Sequence, residues 1–528
     1  MKPSSRCFVG AFAFLLLGAA ATASAQTRDP VNPLDPNPLK APIWPFASTS
    51  PWNMPIGSGA QYVPINLAVP NDPGTPPSVP ATNWAPVPGI HDEYIVLTPG
   101  EQLTDIVRNN VGWSGGDRCA TNNPGDLLVR VPMPMNYVVP NSGGDNSAAF
   151  LMPDSRTIIQ AQPFTRCTPG GPGTSIISFN YVDVYGDGRW GSHGGSQLSA
   201  IGGSIHLGEL RPGKPVRHAV SISFDSTVVL APCHTPTDGS ACFRWPAYSA
   251  DAGAAMDYGI ANTHPVAGMK MGALLAIPTS TNINSLGLET VPGQMLAWTL
   301  QNYGAYIVDS TGGPSVNIDA DIGPNAAFSG SKREEFFNDF GMPFEERVND
   351  GDGTHGNPPF GYGWTRDVQK LIQALYLVDN NGPNSIGGGG TPLQPLAPPL
   401  AKLRVENDSS AIVGNPDPAW VLRGTETAAF SDGTAHKANT PTTATFNFTG
   451  TALSWIGLKC NTCGTANVSI DGGAATPVNT AGPAALGSQG LTSGVVYTTP
   501  ALLAGSHTIV ITVPGGAEIF IDALDVTP

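Results

Sequence analysis

The segment Asp183-Val184-Tyr185-Gly186-Asp187-Gly188-Arg189-Trp190-Gly191-Ser192-His193-Gly194-Gly195-Ser196 gathers two carboxylates, an arginine, a tryptophan and a histidine in one glycine-rich stretch. Glycines let a backbone approach a ligand closely, and such loops commonly carry function on a rigid scaffold. Gly202-Gly203, His206, Glu209, Arg217 and His218 follow at once. Strand alternation would put His206, Gly208 and Leu210 on one face and Leu207 with Glu209 on the other. The cluster from Asp183 to His218 is therefore the expected site.

Three chemistries suit these residue types. Glycoside hydrolysis needs one protonated and one ionised carboxyl group flanking the sugar bond, and Asp187, Glu209, Asp251 and Asp309 are the candidates. Asp309 ends the strand-like run Tyr303 to Asp309, where a sheet edge would present it to a cleft, although it would equally cap the Ser310-Thr311-Gly312 turn. Polysaccharide β-elimination instead needs a base beside a uronate carboxylate and a cation to neutralise that carboxylate. His193, His218, Tyr185 and Arg189 would serve, with His218 alternatively a core histidine in phase with Val220 and Ile222. A protein that only binds glycan would use Trp190 and Trp245 as stacking surfaces.

Other classes are disfavoured by what is missing. The sequence has neither a His-Glu-x-x-His nor a phosphate-binding loop. Gly112-Trp113-Ser114-Gly115-Gly116 matches the bare Gly-x-Ser-x-Gly pattern, but lacks the apolar strand before it and the helix after it that a nucleophile elbow requires. No cofactor or metal is expected. Calcium is the one ion considered, because Asn349-Asp350-Gly351-Asp352-Gly353-Thr354 resembles an incomplete calcium loop without its closing glutamate.

The elements that must position these groups are mainly strands. The chain has 528 residues with 63 Gly and 52 Pro and only 12% charged residues, a composition poor in long helices. Strand-like runs fall at Tyr94 to Leu97, Leu127 to Val131, Ser175 to Val184, His218 to Phe224 and Ala305 to Val308, separated by Gly, Asp, Asn and Pro turns. Short helices are expected at Pro292 to Tyr303, Ser331 to Phe340 and Thr365 to Val378. A β-sandwich or jelly roll decorated by helices fits residues 26–380, with a proline-rich lead-in over 26–88 that wraps the body. Residues 381–401, containing Gly387 to Gly390 and then repeated prolines, have linker composition, and 402–528 read as a second, all-β unit.

Compartment and partners follow from composition. Lys2 and Arg6, the apolar stretch Phe8 to Ala21 and the small residues Ala23-Ser24-Ala25 make residues 1–25 a cleavable export signal. The expected product is secreted or periplasmic, with no membrane anchor and no obligate protein partner. Leaving out Cys7, six cysteines remain, and local spacing suggests Cys233 with Cys242 and Cys460 with Cys463, which leaves Cys119 with Cys167. A net charge of -15 opposes binding to nucleic acid and to anionic membrane surfaces and favours a neutral substrate or one met by local basic residues; the expected partner is a polysaccharide substrate.

The last quarter carries a resemblance. Ala444 to Leu458 (ATFNFTGTALSWIGL), Ala466 to Gly473, Gly505 to Ile509 and Phe520 to Leu524 resemble the galactose-binding-like jelly-roll modules of secreted bacterial carbohydrate-active enzymes. That resemblance implies a carbohydrate-binding module beside a catalytic domain. Within it Trp420 and Trp455 could stack on sugar, while the position of Trp455 between Leu453 and Gly457 suits the core. The expectation is a secreted polysaccharide-degrading enzyme, a hydrolase before a lyase.

Overall fold

A computed structural model describes residues 43–65, 87–109, 111–113, 116–119, 126–141, 145–233, 241–262, 264–311, 315–322, 331–345, 362–398, 402–416, 419–423, 430, 433–486, 491 and 493–527. The export signal, the middle of the Gly112 to Gly116 pattern and the Asn349 to Thr354 loop lie outside the described residues.

The protein is mainly β, with few helices. The larger unit is built on one ten-stranded sheet, in the order Tyr62–Pro64, Tyr376–Val378, Leu274–Ala276, Ala305–Ser310, Val220–Phe224, Ser315–Asp321, Val87–Val96, Ser147–Leu151, Thr157–Gln162 and Ile177–Asp183. Three neighbouring pairs are parallel, namely Ala305–Ser310 with Val220–Phe224, Ser315–Asp321 with Val87–Val96, and Val87–Val96 with Ser147–Leu151. The other pairs of this sheet are antiparallel. Parallel strands belong to sheets covered on both faces. Tyr94, Val96 and Phe150 pack into one apolar cluster, whereas Ile95, Ala149 and Leu151, one residue out of phase, pack into another.

Helices occur where periodicity places them. Val291–Asn302 starts at Thr290, whose side chain accepts from Gly293 N. Lys332–Phe340 starts at Ser331, which accepts from Glu334 N, and stops at Gly341 in the left-handed region at φ 66°. The third helix, Gly363–Gln373, ends earlier than its apolar pattern predicts, because Tyr376–Val378 leaves it to join the sheet beside Tyr62–Pro64.

The described part of the proline-rich lead-in is structural. Phe46, Trp52 and Ile56 are fully buried, and Trp52 Nε1 donates to Gly188 O at 2.8 Å. The Gly387 to Gly390 run is also tied down: Gly57 N donates to Gly387 O and Gly59 N to Gly389 O. Its glycines serve that close approach, since a methyl at 387 would stand 2.4 Å from Pro55 O, rather than supplying a slack tether.

Beyond residue 402 two sheets share one core. Leu403–Glu406, Ala523–Thr527, Ala452–Gly457 and Gly494–Thr498 form one, and Ile412–Asn415, Thr442–Gly450, Gly505–Val513, Thr465–Ile470 and Thr476–Asn479 form the other. Phe446, Phe448, Ile509 and Ile511 of one sheet pack with Leu453, Trp455, Leu524 and Val526 of the other, which is a β-sandwich. Trp455 is fully buried and donates to Phe520 O, so it is core. A buried charge network joins this unit to the large sheet: Arg404 holds Asp525 at 2.8 and 2.9 Å and Asp154 at 3.3 Å, and Arg156 reaches Asp183 and Asp525. The three disulfides are Cys119–Cys167, Cys233–Cys242 and Cys460–Cys463.

Candidate functional site

One face of the large sheet carries a polar stripe across its centre. The register sets Asp309 beside Ser223, Asn317 beside Ser223, Asp319 beside His91, Glu93 beside Ser147, and Ala149 beside Gln160. Side chains two apart in a strand share a face, so His91 and Glu93 stand together, as do Gln160 and Gln162. The alternate positions Val220, Ile222, Val316 and Ile318 are apolar and buried.

The glycine-rich loop covers this stripe. Gln160 clamps it down: its side-chain oxygen accepts from Ser192 N and Ala200 N, and its amide donates to Trp190 O. Ser196 N donates to Val308 O, which brings Gly195 over Asp309. A methyl added at 195 would stand 2.8 Å from Asp309 Oδ1 and 3.2 Å from Asp251 Oδ1. Further along, Gly203 and Ile205 insert between strands, with Ser221 N donating to Gly203 O and Ile205 N to Asp319 O. The expected strand through His206, Gly208 and Leu210 is replaced by turns, because Gly208 and Leu210 both take positive φ, 87° and 44°.

Two groups of ionisable side chains meet under the loop. In the first, His91 Nδ1 lies 3.0 Å from Glu93 Oε1, and His193 Nε2 lies 3.6 Å from Glu93 Oε1 and 3.2 Å from Asp319 Oδ2. Glu93, His193 and Asp319 side chains are fully buried. Burial, then the neighbouring His91, hold His193 well below the usual imidazole range. Burial, then Glu93, push Asp319 well above the usual carboxylate range. His91, Glu93 and His193 offer one ligand atom each within 4.8 Å of one another, so they could hold a metal ion.

In the second group, Tyr258 Oη donates to Asp251 Oδ2 at 2.5 Å. Asp309 is raised well above the ordinary carboxylate range by burial and by the Asp251 and Asp145 carboxyls, against the opposing effects of the Ser310 N–H and His91. Asp251 is raised by burial and by Asp145 and Asp257, against the Tyr258 hydrogen bond. A carboxyl that is buried and faces other carboxyls, as Asp309 does, favours its protonated form.

An aromatic platform adjoins this second group. Tyr248, three residues before Asp251, donates its N–H to Ser196 O. Its ring meets Trp190 edge-on at 4.7 Å, and the Arg189 guanidinium lies 4.4 Å over Tyr248 and 5.5 Å over Trp245. Trp190 and Tyr248 are each 37% exposed and Trp113, which approaches Gly194, is 39% exposed. Amphipathic rings left open beside carboxyls suit stacking against sugar faces.

The remaining sequence candidates sit elsewhere. Asp187 is an exposed turn residue whose Oδ1 accepts from Arg189 N. Tyr185 lies under the Arg156 guanidinium at 4.3 Å, in the network leading to Asp525. Glu209 and His218 pair with each other, His218 Nε2 to Glu209 Oε2 at 3.0 Å, while His206 N donates to the same carboxylate and Lys332 Nζ reaches Glu209 O. Among the described residues no hydrogen bond or ion pair links them to Asp309 or Asp251. Thus the structure places His193 in one group and Asp309 with Asp251 in the other under the same loop, with Arg189, Trp190 and Trp245 nearby, while Asp187 is held to the Arg189 backbone in its own turn and Glu209, His218 and Tyr185 belong to other networks. Sequence reasoning missed His91, Glu93, Asp319, Asp145, Tyr248 and Tyr258. The available signal was the pair of alternating polar runs His91-x-Glu93 and Asn317-x-Asp319-x-Asp321 inside strands.

Fold and site together define a mainly β protein with a buried His and carboxylate centre under a glycine-rich loop. No family model matches the chain, and no curated protein matches it. Its structural neighbours are carbohydrate-active enzymes. A family two carbohydrate esterase from Cellvibrio japonicus is 11% identical, with 24% of this chain and 33% of that chain covered at a TM-score of 0.18. The Podospora anserina GH26-CBM35 β-(1,4)-mannanase is 19% identical over 24% of this chain and 28% of that one, at 0.19. The catalytic domain of a GH87 α-1,3-glucanase in complex with nigerose is 19% identical over the same shares, at 0.18. This chain spans about a third or less of the length of these proteins. Among the described residues, no helix is long and apolar enough to cross a membrane.

Proposed function

We propose that this protein is an exported glycoside hydrolase that degrades polysaccharide, with Asp309 and Asp251 as its acid and base pair. The observation that carries this reading is the meeting of these two carboxyls, from separate segments, against the Gly195 backbone beside an exposed aromatic platform. Asp309, the more strongly raised of the two, serves as the proton donor to the leaving sugar oxygen. Asp251, held by Tyr258, is the ionised partner that activates water or attacks the sugar. Trp190, Tyr248, Trp245 and Arg189 seat the flanking sugars. The sandwich from residue 402 acts as a carbohydrate-binding module, where Asn407, Asp408, Trp420 and His436 line a cavity of about 190 Å³. Export rests on the leader sequence, and the three disulfides suit the oxidising compartment it implies.

The test is incubation of purified protein with neutral and acidic polysaccharides, following reducing ends and ultraviolet absorbance together. Reducing ends without absorbance are expected, and Asp309→Asn or Asp251→Asn should lower kcat by roughly 10² to 10⁴-fold. Reducing ends accompanied by absorbance would replace the hydrolase with a lyase. Binding without either signal would leave only a glycan-binding protein.

A further inference from the structure

We propose that His91, Glu93, His193 and Asp319 form a binding site for one divalent transition-metal ion of the zinc, manganese or cobalt kind. The ligand-atom spacing is what such an ion requires. Bonds of about 2.0 to 2.1 Å in a tetrahedron set neighbouring ligand atoms roughly 3.3 Å apart. His91 Nδ1 and His193 Nε2 stand 3.0 and 3.6 Å from Glu93 Oε1, with the three residues' ligand atoms within 4.8 Å of one another, and Asp319 adds Oδ2 at 3.2 Å from His193 and Oδ1 at 3.9 Å from His91.

The hydrogen bond between His91 Nδ1 and Glu93 Oε1 at 3.0 Å accounts for only part of the arrangement. Neither ring nitrogen of His193 makes a hydrogen bond, although both are buried and Nε2 stands 3.2 Å from Asp319. Buried polar atoms are rarely left in that state without an unseen partner. Charge is compatible with this: a divalent cation would displace the proton that burial favours on Asp319, and two neutral imidazoles with two carboxylates then carry the charge it cancels. Two nitrogen donors favour zinc, manganese, iron or cobalt over calcium and magnesium, which take oxygen ligands.

Backbone pairing sets the site before any ion arrives. His91 and Glu93 are two apart on one strand, Asp319 faces His91 in the parallel register, and His193 is delivered by the loop that Gln160 clamps.

The experiment is metal analysis of the purified full chain, followed by chelation and titration of the stripped protein with Co²⁺, Zn²⁺, Mn²⁺ and Ca²⁺. One tightly held equivalent is expected, with visible cobalt bands of four- or five-coordinate intensity, displaced by Zn²⁺, and weaker binding of Ca²⁺. His193→Ala and Asp319→Asn should each weaken binding by at least tenfold, and Asp309→Asn should leave it unchanged. Absence of binding by wild-type protein to any of the four ions would overturn the site. So would equal affinity in folded His193→Ala, checked by circular dichroism. Metal binding and sugar cleavage fail separately: an inactive protein that binds cobalt refutes only the hydrolase, and an active one that binds no ion refutes only the metal site.

Discussion

Glu209→Gln separates a structural ion pair from a catalytic residue. In the folded protein Glu209 and His218 are nearly inaccessible to water, with side chains 9% and 2% exposed, and they meet at 3.0 Å. Burial alone would raise the Glu209 carboxyl, but the charge and hydrogen bond of His218, with His206, bring it below its ordinary 4.5. Burial alone would lower His218, but Glu209 lifts it above its ordinary 6.5. Removing one member of such a pair leaves the other without compensation in a low-dielectric place, at a cost of about 3–5 kcal/mol. For a domain of this size that corresponds to a fall in Tm on the order of 5–10 °C. The stabilisation from Glu209 is present above about 4.5 and lost as pH falls through its lower folded value. That from His218 is present below about 6.5 and lost as pH rises through its higher folded value. The wild-type minus variant difference should therefore be largest near pH 4.5 to 6.5 and shrink on either side, with His206, Lys332 and Glu335 the other ionisable groups packed around the pair. Thermal unfolding across pH measures it, and the Glu209→Gln, His218→Gln double variant should recover part of the loss. An unchanged Tm together with a kcat reduced more than a hundredfold would refute the structural assignment and return Glu209 to the active site.

Four further outcomes follow from the structure. Asp309 is protonated in the folded protein over a range where it ionises when unfolded, so folding pays for its burial as pH rises above 3.8; Asp309→Asn should raise Tm at neutral pH while sharply lowering kcat, and a lower Tm would contradict this. With Asp309 as proton donor, facing Asp251, Asp145 and His91, kcat should fall as pH rises through its raised value, a limb that Asp309→Glu keeps and Asp309→Asn loses in a pH-rate profile. Gly195→Ala inserts a methyl 2.8 Å from Asp309 Oδ1 and should reduce kcat/KM by on the order of 10²-fold with little change in Tm, which steady-state kinetics on a soluble oligosaccharide would show. Arg404→Met strips Asp525 and Asp154 of their shared cation and should cost about 3–5 kcal/mol, seen by calorimetry as earlier unfolding, while activity on that oligosaccharide at low temperature stays unchanged.

Much of the scaffold is legible because its signals are local. The Val291–Asn302 and Lys332–Phe340 helices carry their caps within a few residues, and the Thr442–Gly450 strand alternates cleanly because one face meets the sandwich core. Asp309 and Asp251 are recognisable as candidates, and His193, Arg189, Trp190 and Trp245 are drawn in by the glycine-rich loop. Glu209 and His218 mislead for a physical reason: charged residues close in sequence look like a site, yet their nine-residue separation lets them neutralise each other inside the body. Asp187 misleads similarly, since an Asp-Gly turn needs the carboxylate for its own backbone.

His91, Glu93 and Asp319 were hidden by the opposite effect. In an antiparallel sheet with one wet face, polar residues at every second position mark the solvent side, and His91-x-Glu93 or Asn317-x-Asp319-x-Asp321 passes unnoticed on that reading. Here the strands concerned are joined by parallel pairing, which belongs to sheets covered on both faces, and the cover on the polar side is a loop that begins more than ninety residues after His91 and more than a hundred before Asp319. Once both faces are covered, the same alternation changes meaning. A polar residue at every second position then lines an interior, where each group must find a partner, a proton or an ion. The loop supplies His193 to that interior and Gly195 to the carboxyls beside it, so the two centres share a single cover although their residues come from five separate segments of the chain.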